Sequence, residues 1–228
     1  NTDSISLPTE HRQAGANLGY ALAISGNTLA VGAPGWDLLN DGSGHRYNNV
    51  GRVYVWVRQA DGKWKFQTAI NNPRPPVNYW TDSYFSYRVR LFGDTLLVSL
   101  ADNVSGRDGS IDVWDRTNTA WVRAQPIPYT GVIDDVAFDG TFAVIGKGKG
   151  ADEVQVWRRA GGKGTAFNLA TTLTPADGYP NLFKKAFGAS LALSGNRLII
   201  GAPEDTLGIS LSIGSTSPFK VPSTSCNI

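Results

Sequence analysis

One phrase occurs twice in nearly the same letters, and it dictates most of what this chain can build. Residues 18–34 read LGYALAISGNTLAVGAP, and residues 187–203 read FGASLALSGNRLIIGAP. Each has Leu or Phe before Gly, an alternating apolar run, a Ser-Gly-Asn turn, a second alternating run, and Gly-Ala-Pro. Two looser copies lie between them, YRVRLFGDTLLVSLAD at 87–102 and DVAFDGTFAVIGKG at 135–148. A second phrase follows the first three copies: GRVYVWVR (51–58), GSIDVWDR (109–116) and DEVQVWRR (152–159). A unit repeated at this scale means one supersecondary block stacked several times.

The letters of one repeat specify its strands. Ala21, Ala23 and Ser25 share one parity and Leu22 and Ile24 the other, the period of a strand. Gly26-Asn27 tolerates the positive φ of a tight hairpin turn, so a second strand follows at once. Small residues on one parity allow close approach of a neighbouring sheet. Pro34 ends the second strand because it cannot donate to a ladder. After a loop, Val53, Val55 and Val57 alternate with Tyr54 and Trp56 in a third strand, and 64–70 gives a fourth. Four antiparallel strands per repeat make a propeller blade. Later third and fourth strands are expected at 109–116 and 120–127, then at 152–159 and 166–173. The turn glycines Gly26, Gly93, Gly140 and Gly195 are spaced 67, 47 and 55 residues apart. The last two spacings suit a blade of roughly 40–50 residues. The excess in the first is assigned to an insertion, NNPRPPVNYWTDSYF, at 71–85. No stretch has helical period for long enough to predict a helix.

The fourth repeat is one strand short, with only GISLSI (208–213) after Gly-Ala-Pro. Residues 4–8 match in character the fourth strand of a preceding blade. They are expected to pair with the 187–213 blade and bury Ile5 and Leu7.

The two phrases together resemble the FG-GAP repeat, the blade unit of integrin α-chain heads, some fungal lectins and many microbial surface proteins. The resemblance covers residues 4–214. It implies an all-β fold, a β-propeller of four-stranded antiparallel blades, usually seven. Four repeats are visible here, which suits a small closed ring, part of a larger ring, or an open stack completed by a partner. The expected blades are 18–70, 86–127, 132–173 and 187–213 with the N-terminal strand 4–8, followed by a Ser/Thr/Pro-rich tail at 215–228. Integrin-type repeats carry a D-x-D-x-D-G calcium loop between the first two strands. Here that place holds SGN, FGD, DG and SGN, too short and too poor in oxygen ligands to wrap an ion. No metal and no cofactor is therefore expected. The loop WDLLNDGSGH (36–45), with Asp37, Asn40 and Asp41, reads as a polar turn or a poor ion site.

Composition narrows the function classes. The chain has 228 residues and a formal charge of +2, with its basic pairs scattered, which argues against a nucleic-acid partner. No apolar stretch approaches the ~18 residues of a membrane span, so no membrane insertion is expected. The single Cys226 can make no internal disulfide, leaving a free thiol or an intermolecular bridge. The chain begins with Asn1 and contains no Met, as a processed chain or a piece of a longer one would. The sequon Asn103-Val104-Ser105 is a candidate glycosylation site. Together these suggest a secreted or cell-surface protein.

Catalytic sets are poorly represented. Two histidines, His11 and His45, without a G-x-S-x-G do not suggest a nucleophile triad, and they are too few for structural zinc. The run 146–150 is glycine- and lysine-rich but occupies the Gly-Ala-Pro position. The paired acids Asp134-Asp135 and Glu204-Asp205 would point to opposite strand faces. The chain is therefore not expected to be an enzyme, although an extracellular hydrolase domain is one alternative. The leading reading is a non-catalytic, lectin-like adhesion module that recognises a glycan or protein through propeller loops. A structural subunit of an extracellular filament or sheath, joined through sheet edges or Cys226, is the other alternative. The insertion supplies Tyr79, Trp80, Asp82 and Tyr84 as candidate ligand contacts, with Phe85 and Tyr87 beside them. Those aromatics could equally plug the space between blades one and two. Trp56, Trp114 and Trp157 recur at one repeat position and are expected in the core.

Overall fold

The computed structural model describes residues 5–39, 46–74, 83–100, 110–129, 131–147, 153–174, 186–195, 197–203 and 211–213. It is all-β, with a series of antiparallel sheets of blade form. Among the described residues no helix is long and apolar enough to cross a membrane. The chain divides into two compact units, Asn1–Ala124 with Pro128–Thr130, and Gln125–Ile127 with Gly131–Ile228.

In the first unit, β1 (Ala21–Ser25), β2 (Thr28–Ala33), β3 (Arg52–Arg58) and β4 (Trp64–Asn71) form a sheet in that order. A second sheet has its main path along β5 (Val89–Phe92), β6 (Thr95–Leu100), β7 (Ser110–Thr117) and β8 (Ala120–Arg123). In the second unit, β9 (Asp135–Phe138), β10 (Phe142–Lys147), β11 (Glu153–Arg159) and β12 (Phe167–Leu173) repeat the pattern. The last sheet holds β13 (Ser190–Ser194), β14 (Arg197–Gly201) and β15 (Leu211–Ile213).

The predicted turns form for the predicted reason. Ser25 pairs with Thr28, Phe92 with Thr95 and Ser194 with Arg197, leaving two residues in each turn. The first of the two is Gly26, Gly93 or Gly195, at φ of 54°, 55° and 55°. A tight hairpin of this kind needs positive φ at its first central residue only. The third repeat has a longer turn, in which the Asp139 carboxylate accepts from the Thr141 and Phe142 amides at 2.9 and 2.7 Å. That side chain replaces the backbone bond a tighter turn would supply.

A further bond explains why the phrase ends as it does. The amide of Gly19 donates to the Gly32 carbonyl, Ser86 to Ser99, Asp134 to Gly146 and Gly188 to Gly201, each at 3.0 Å. Every repeat thus ties its entry turn to the end of its second strand. Where that residue is Gly32 or Gly146 it also admits the next sheet. A Cβ on Gly32 would stand 2.5 Å from the Ser86 carbonyl oxygen, and one on Gly146 would stand 2.0 Å from the Gly188 carbonyl oxygen. Consecutive sheets in each unit therefore interlock, backbone against backbone, at this position.

The alternation sorts as expected. Val53 and Val55 join Ala21, Ala30 and Ile70 against Val89, Leu91, Leu96 and Val98 of the second sheet. Tyr54 and Trp56 point to the opposite face with Val31 and Ala33. In the second unit Val144, Val154 and Val156 pack with Phe187, Leu198 and Ile200. Trp56 and Trp157 are buried and Trp114 packs half-buried against the first core, as their shared repeat position predicts. β3–β4 and β11–β12 each shift register immediately before the tryptophan, between Val55 and Trp56 and between Val156 and Trp157.

The N-terminus departs from expectation. Residues 5–8 of the strand predicted over 4–8 carry no ladder. Pro8 leads into a single 3-10 turn, Thr9–His11. Leu7 is buried, but against Val31, Ala33, Tyr54 and Trp56, and Ile5 stays 39% exposed. The physical reason is local. The first sheet has a large apolar face that Leu7 and Ala16 can cover without any strand pairing. Nearby, the Tyr54 hydroxyl donates to the His11 carbonyl at 3.1 Å, and His11 packs on Phe66 with ring centroids 5.0 Å apart.

Candidate ligand-binding site

The chemistry-bearing cluster that the fold assembles lies where β1 and β5 begin. The chain enters β5 through a tight turn, Tyr84 to Tyr87, closed by a bond from the Tyr87 amide to the Tyr84 carbonyl at 3.1 Å. Two non-glycine residues in it adopt positive φ, Tyr84 at 43° and Ser86 at 79°. Such conformations cost free energy and persist only where the surroundings fix them. Here the bonds are on hand. The Tyr84 amide donates to the Asn49 carbonyl at 2.8 Å. Ser86 Oγ accepts from the Ala33 amide at 3.0 Å and donates to the Arg52 carbonyl at 2.9 Å. Arg88 is clamped by the Ser99 hydroxyl on its amide (2.8 Å) and the Ser99 amide on its carbonyl (2.9 Å).

This frame presents Tyr87 and Arg88 beside Tyr20. The Tyr20 and Tyr87 rings lie 4.7 Å apart at a 37° tilt. The Arg88 guanidinium carbon sits 4.6 Å from the Tyr87 ring centre. Tyr20 is 49% exposed. Its phenol is held above the ordinary tyrosine value, first by a hydrogen bond to Tyr87 and then by burial, while Arg88 pulls the other way. The arrangement offers a half-exposed aromatic surface, phenolic hydroxyls and a planar cation within one small area.

Of the predicted contacts, Tyr84 forms the first residue of this turn and is half-buried. Tyr79, Trp80 and Asp82, the sequon Asn103 and Cys226 lie outside the described residues. Tyr20 escapes a reading that looks only within the insertion. The signal for it was in the repeats. Gly19 and Ser86 make the same bond, so Tyr20 and Tyr87 hold the same repeat position, occupied in the other two repeats by Asp135 and Ala189.

A buried carboxylate anchors the foot of the 71–85 run. Asp112, fully buried, accepts from Arg123 at 2.6 and 3.0 Å and from Arg74 at 3.1 Å. Arg74 also bonds the Ser110 hydroxyl. Other acids are likewise committed. Asp37, in the loop weighed as an ion site, takes Arg46 at 2.5 Å and the Asn49 amide at 2.9 Å. Gln13 brackets its backbone at 2.5 and 3.0 Å. Asn40, Asp41 and His45 lie outside the described residues. Asp135 accepts from the amides of Leu191 and Val136, each at 2.8 Å, a structural use of one member of the acid pair. Among the described residues no group of three or more His, Cys, Asp or Glu is placed to hold a metal. A cavity of about 300 Å³ lies along the N-terminal segment, lined by Leu7, His11, Arg12, Leu18 and Tyr54 among others.

No family model matches the sequence. No curated protein matches it. Among solved structures the chain is similar to Hsv2 of Kluyvelomyces marxianus, at 12% identity and a TM-score of 0.45 over 89% of this chain and 47% of that one. The chain thus spans about half the length of that structure.

Proposed function

We propose that this chain is a non-catalytic binding module of the FG-GAP type, acting outside the cell or at its surface and recognising a glycan or a protein through loops at one end of its blades. The observation that carries the reading is the Tyr20–Tyr87–Arg88 cluster, set at the starts of two strands. Rigid, half-exposed tyrosines give contact area at small entropic cost. The repeat phrases support the family. The acids and the histidine among the described residues support the non-catalytic part, since those placed here serve turns, ion pairs and packing.

The test is a glycan-array screen together with recovery of partners from extracellular fractions, run in parallel on the wild type and on Tyr87→Ala. A specific ligand whose binding drops at least ten-fold in Tyr87→Ala is the expected result. A ligand held equally well by the variant would place recognition elsewhere, and the absence of any ligand in both screens would refute a binding role.

A further inference from the structure

We infer that copies of this chain associate head to tail, the last sheet of one copy seating on the free face of the first sheet of the next. The inference goes beyond the ligand-binding reading and does not depend on it.

Sheet-to-sheet packing within each unit uses the same repeat positions. Counted from the bond that ties each entry turn to its second strand, Leu22, Val89 and Leu191 hold one position, and Ile24, Leu91 and Leu193 another. Val89 and Leu91 lie in the core that the first and second sheets share. Leu191 and Leu193 pack on the core that the third and fourth sheets share. Leu22 and Ile24, the first members of both sets, are each 62% exposed. They pair with Val31 and Leu29 and so share their face of the sheet. On that face Leu7 packs with Val31, Ala33, Tyr54 and Trp56, as Leu173 at the end of β12 packs with Leu198 and Ile200. The N-terminal segment thus stands where a preceding blade's fourth strand would run, and leaves the places of that blade's inner strands open.

The last sheet presents the matching surface. Ala30 and Val144 stand two residues before Gly32 and Gly146 and lie in the shared cores. Ile199 stands two residues before Gly201 and is 55% exposed. Gly32 and Gly146 abut the entry turns of the following sheets at Ser86 and Gly188, whereas a Cβ on Gly201 would first meet Ser190, its own ladder partner. The socket is free as well. A Cβ on Gly19, the counterpart of Ser86 and Gly188, meets nothing within 4 Å among the described residues. The last sheet also holds three strands among the described residues, where the first and third hold four. Residues 5–8 of a receiving copy lie where its fourth belongs.

One chain therefore carries both halves of an interlock that it already uses inside each unit. Apolar side chains on both halves gain from leaving water. A contact between two different surfaces of identical chains is heterologous. A first-sheet face packed on its own copy would cover Leu22 and Ile24 but leave Gly201 and Ile199 unused.

Sedimentation velocity and light scattering over a concentration series test the inference, in reducing buffer so that Cys226 cannot bridge copies. The wild type should form dimers or larger species. A head variant, Leu22→Glu with Ile24→Glu, and a tail variant, Ile199→Glu, should each raise the dissociation constant roughly ten-fold or more, because association would bury an unpaired carboxylate. An equimolar mixture of the two should recover a complex holding one of each, since each variant keeps the surface the other lacks. Gly201→Ala should weaken association with no charge added, as its φ is not positive. Circular dichroism and melting of the monomeric variants show that the fold is retained. A wild type that stays monomeric at every concentration would overturn the inference. Undiminished association of the tail variant alone would overturn it in favour of a head-to-head contact, and a mixture that stays monomeric would overturn it equally.

Discussion

Replacing Gly146 with Ala isolates the interlock between sheets from every other glycine effect. Gly146 is not among the positive-φ residues, so Ala can adopt its backbone conformation without strain. On conformational grounds alone the substitution should stabilise by about 0.4–1 kcal/mol, through a stiffer unfolded chain. Space argues the other way. The added methyl would stand 2.0 Å from the Gly188 carbonyl oxygen and 2.8 Å from its carbon. These are backbone atoms, and Gly188 is tied to the Gly201 carbonyl. Relief requires the two sheets to separate by more than an ångström across a core that includes Val144, Val154, Phe187 and Leu198. Overpacking in such a core costs about 1–3 kcal/mol and occasionally more, so the clash outweighs the entropic gain. We expect a net loss of about 2 kcal/mol, or a fall in melting temperature of roughly 4–8 °C for a chain of this size. Gly26→Ala is the matching control: at φ 54° with open space around it, it reports backbone strain alone, at about 1–2 kcal/mol. Urea titrations followed by tryptophan fluorescence give both values. A Gly146→Ala protein as stable as the wild type would refute the interlock.

Other expectations follow from single interactions. Asp112→Ala removes a fully buried carboxylate from two arginines and should cost about 3 kcal/mol, the low end for breaking a buried pair because both arginines keep a route to water; equilibrium unfolding reads it, and a loss under 1 kcal/mol would mean the pair holds little. Leu7→Ala should cost about 2 kcal/mol by uncovering the Tyr54 and Trp56 face, and an unchanged urea midpoint would show that the N-terminal segment is not docked there. Burial raises the Tyr54 phenol above its ordinary value of about 10 against the opposing pull of Arg52, and Tyr20 is raised first by its bond to Tyr87. The unfolded chain then gives up these protons before the folded one, so their stabilisation is complete below pH ~10 and is lost as pH rises through the folded values. Urea midpoints should fall above pH ~10, and Tyr54→Phe should flatten that fall; a decline of equal slope in the variant would assign it elsewhere.

The features legible in the sequence are those that short-range sterics and period decide. Ser-Gly-Asn forces a hairpin because only glycine takes φ near 55° cheaply at its first central position, so strand pairs could be placed before any contact was known. The parity of Val53, Tyr54, Val55 and Trp56 sets which face each side chain occupies, since a one-residue slip would invert every one. What tertiary structure decided involves partners far apart in the chain. The 4–8 segment has the letters of a strand, yet Leu7 follows the apolar face of the first sheet, which no local pattern announces. Ser86 holds a glycine's φ because Ala33 and Arg52, more than thirty residues away, supply its bonds. Asp112 looks like any strand acid until folding brings Arg74 and Arg123 to it from either side. The candidate site is of the same kind. Tyr20 and Tyr87 are 67 residues apart in sequence, and only the packing of β1 beside β5 sets their rings 4.7 Å apart, with a guanidinium on one of them.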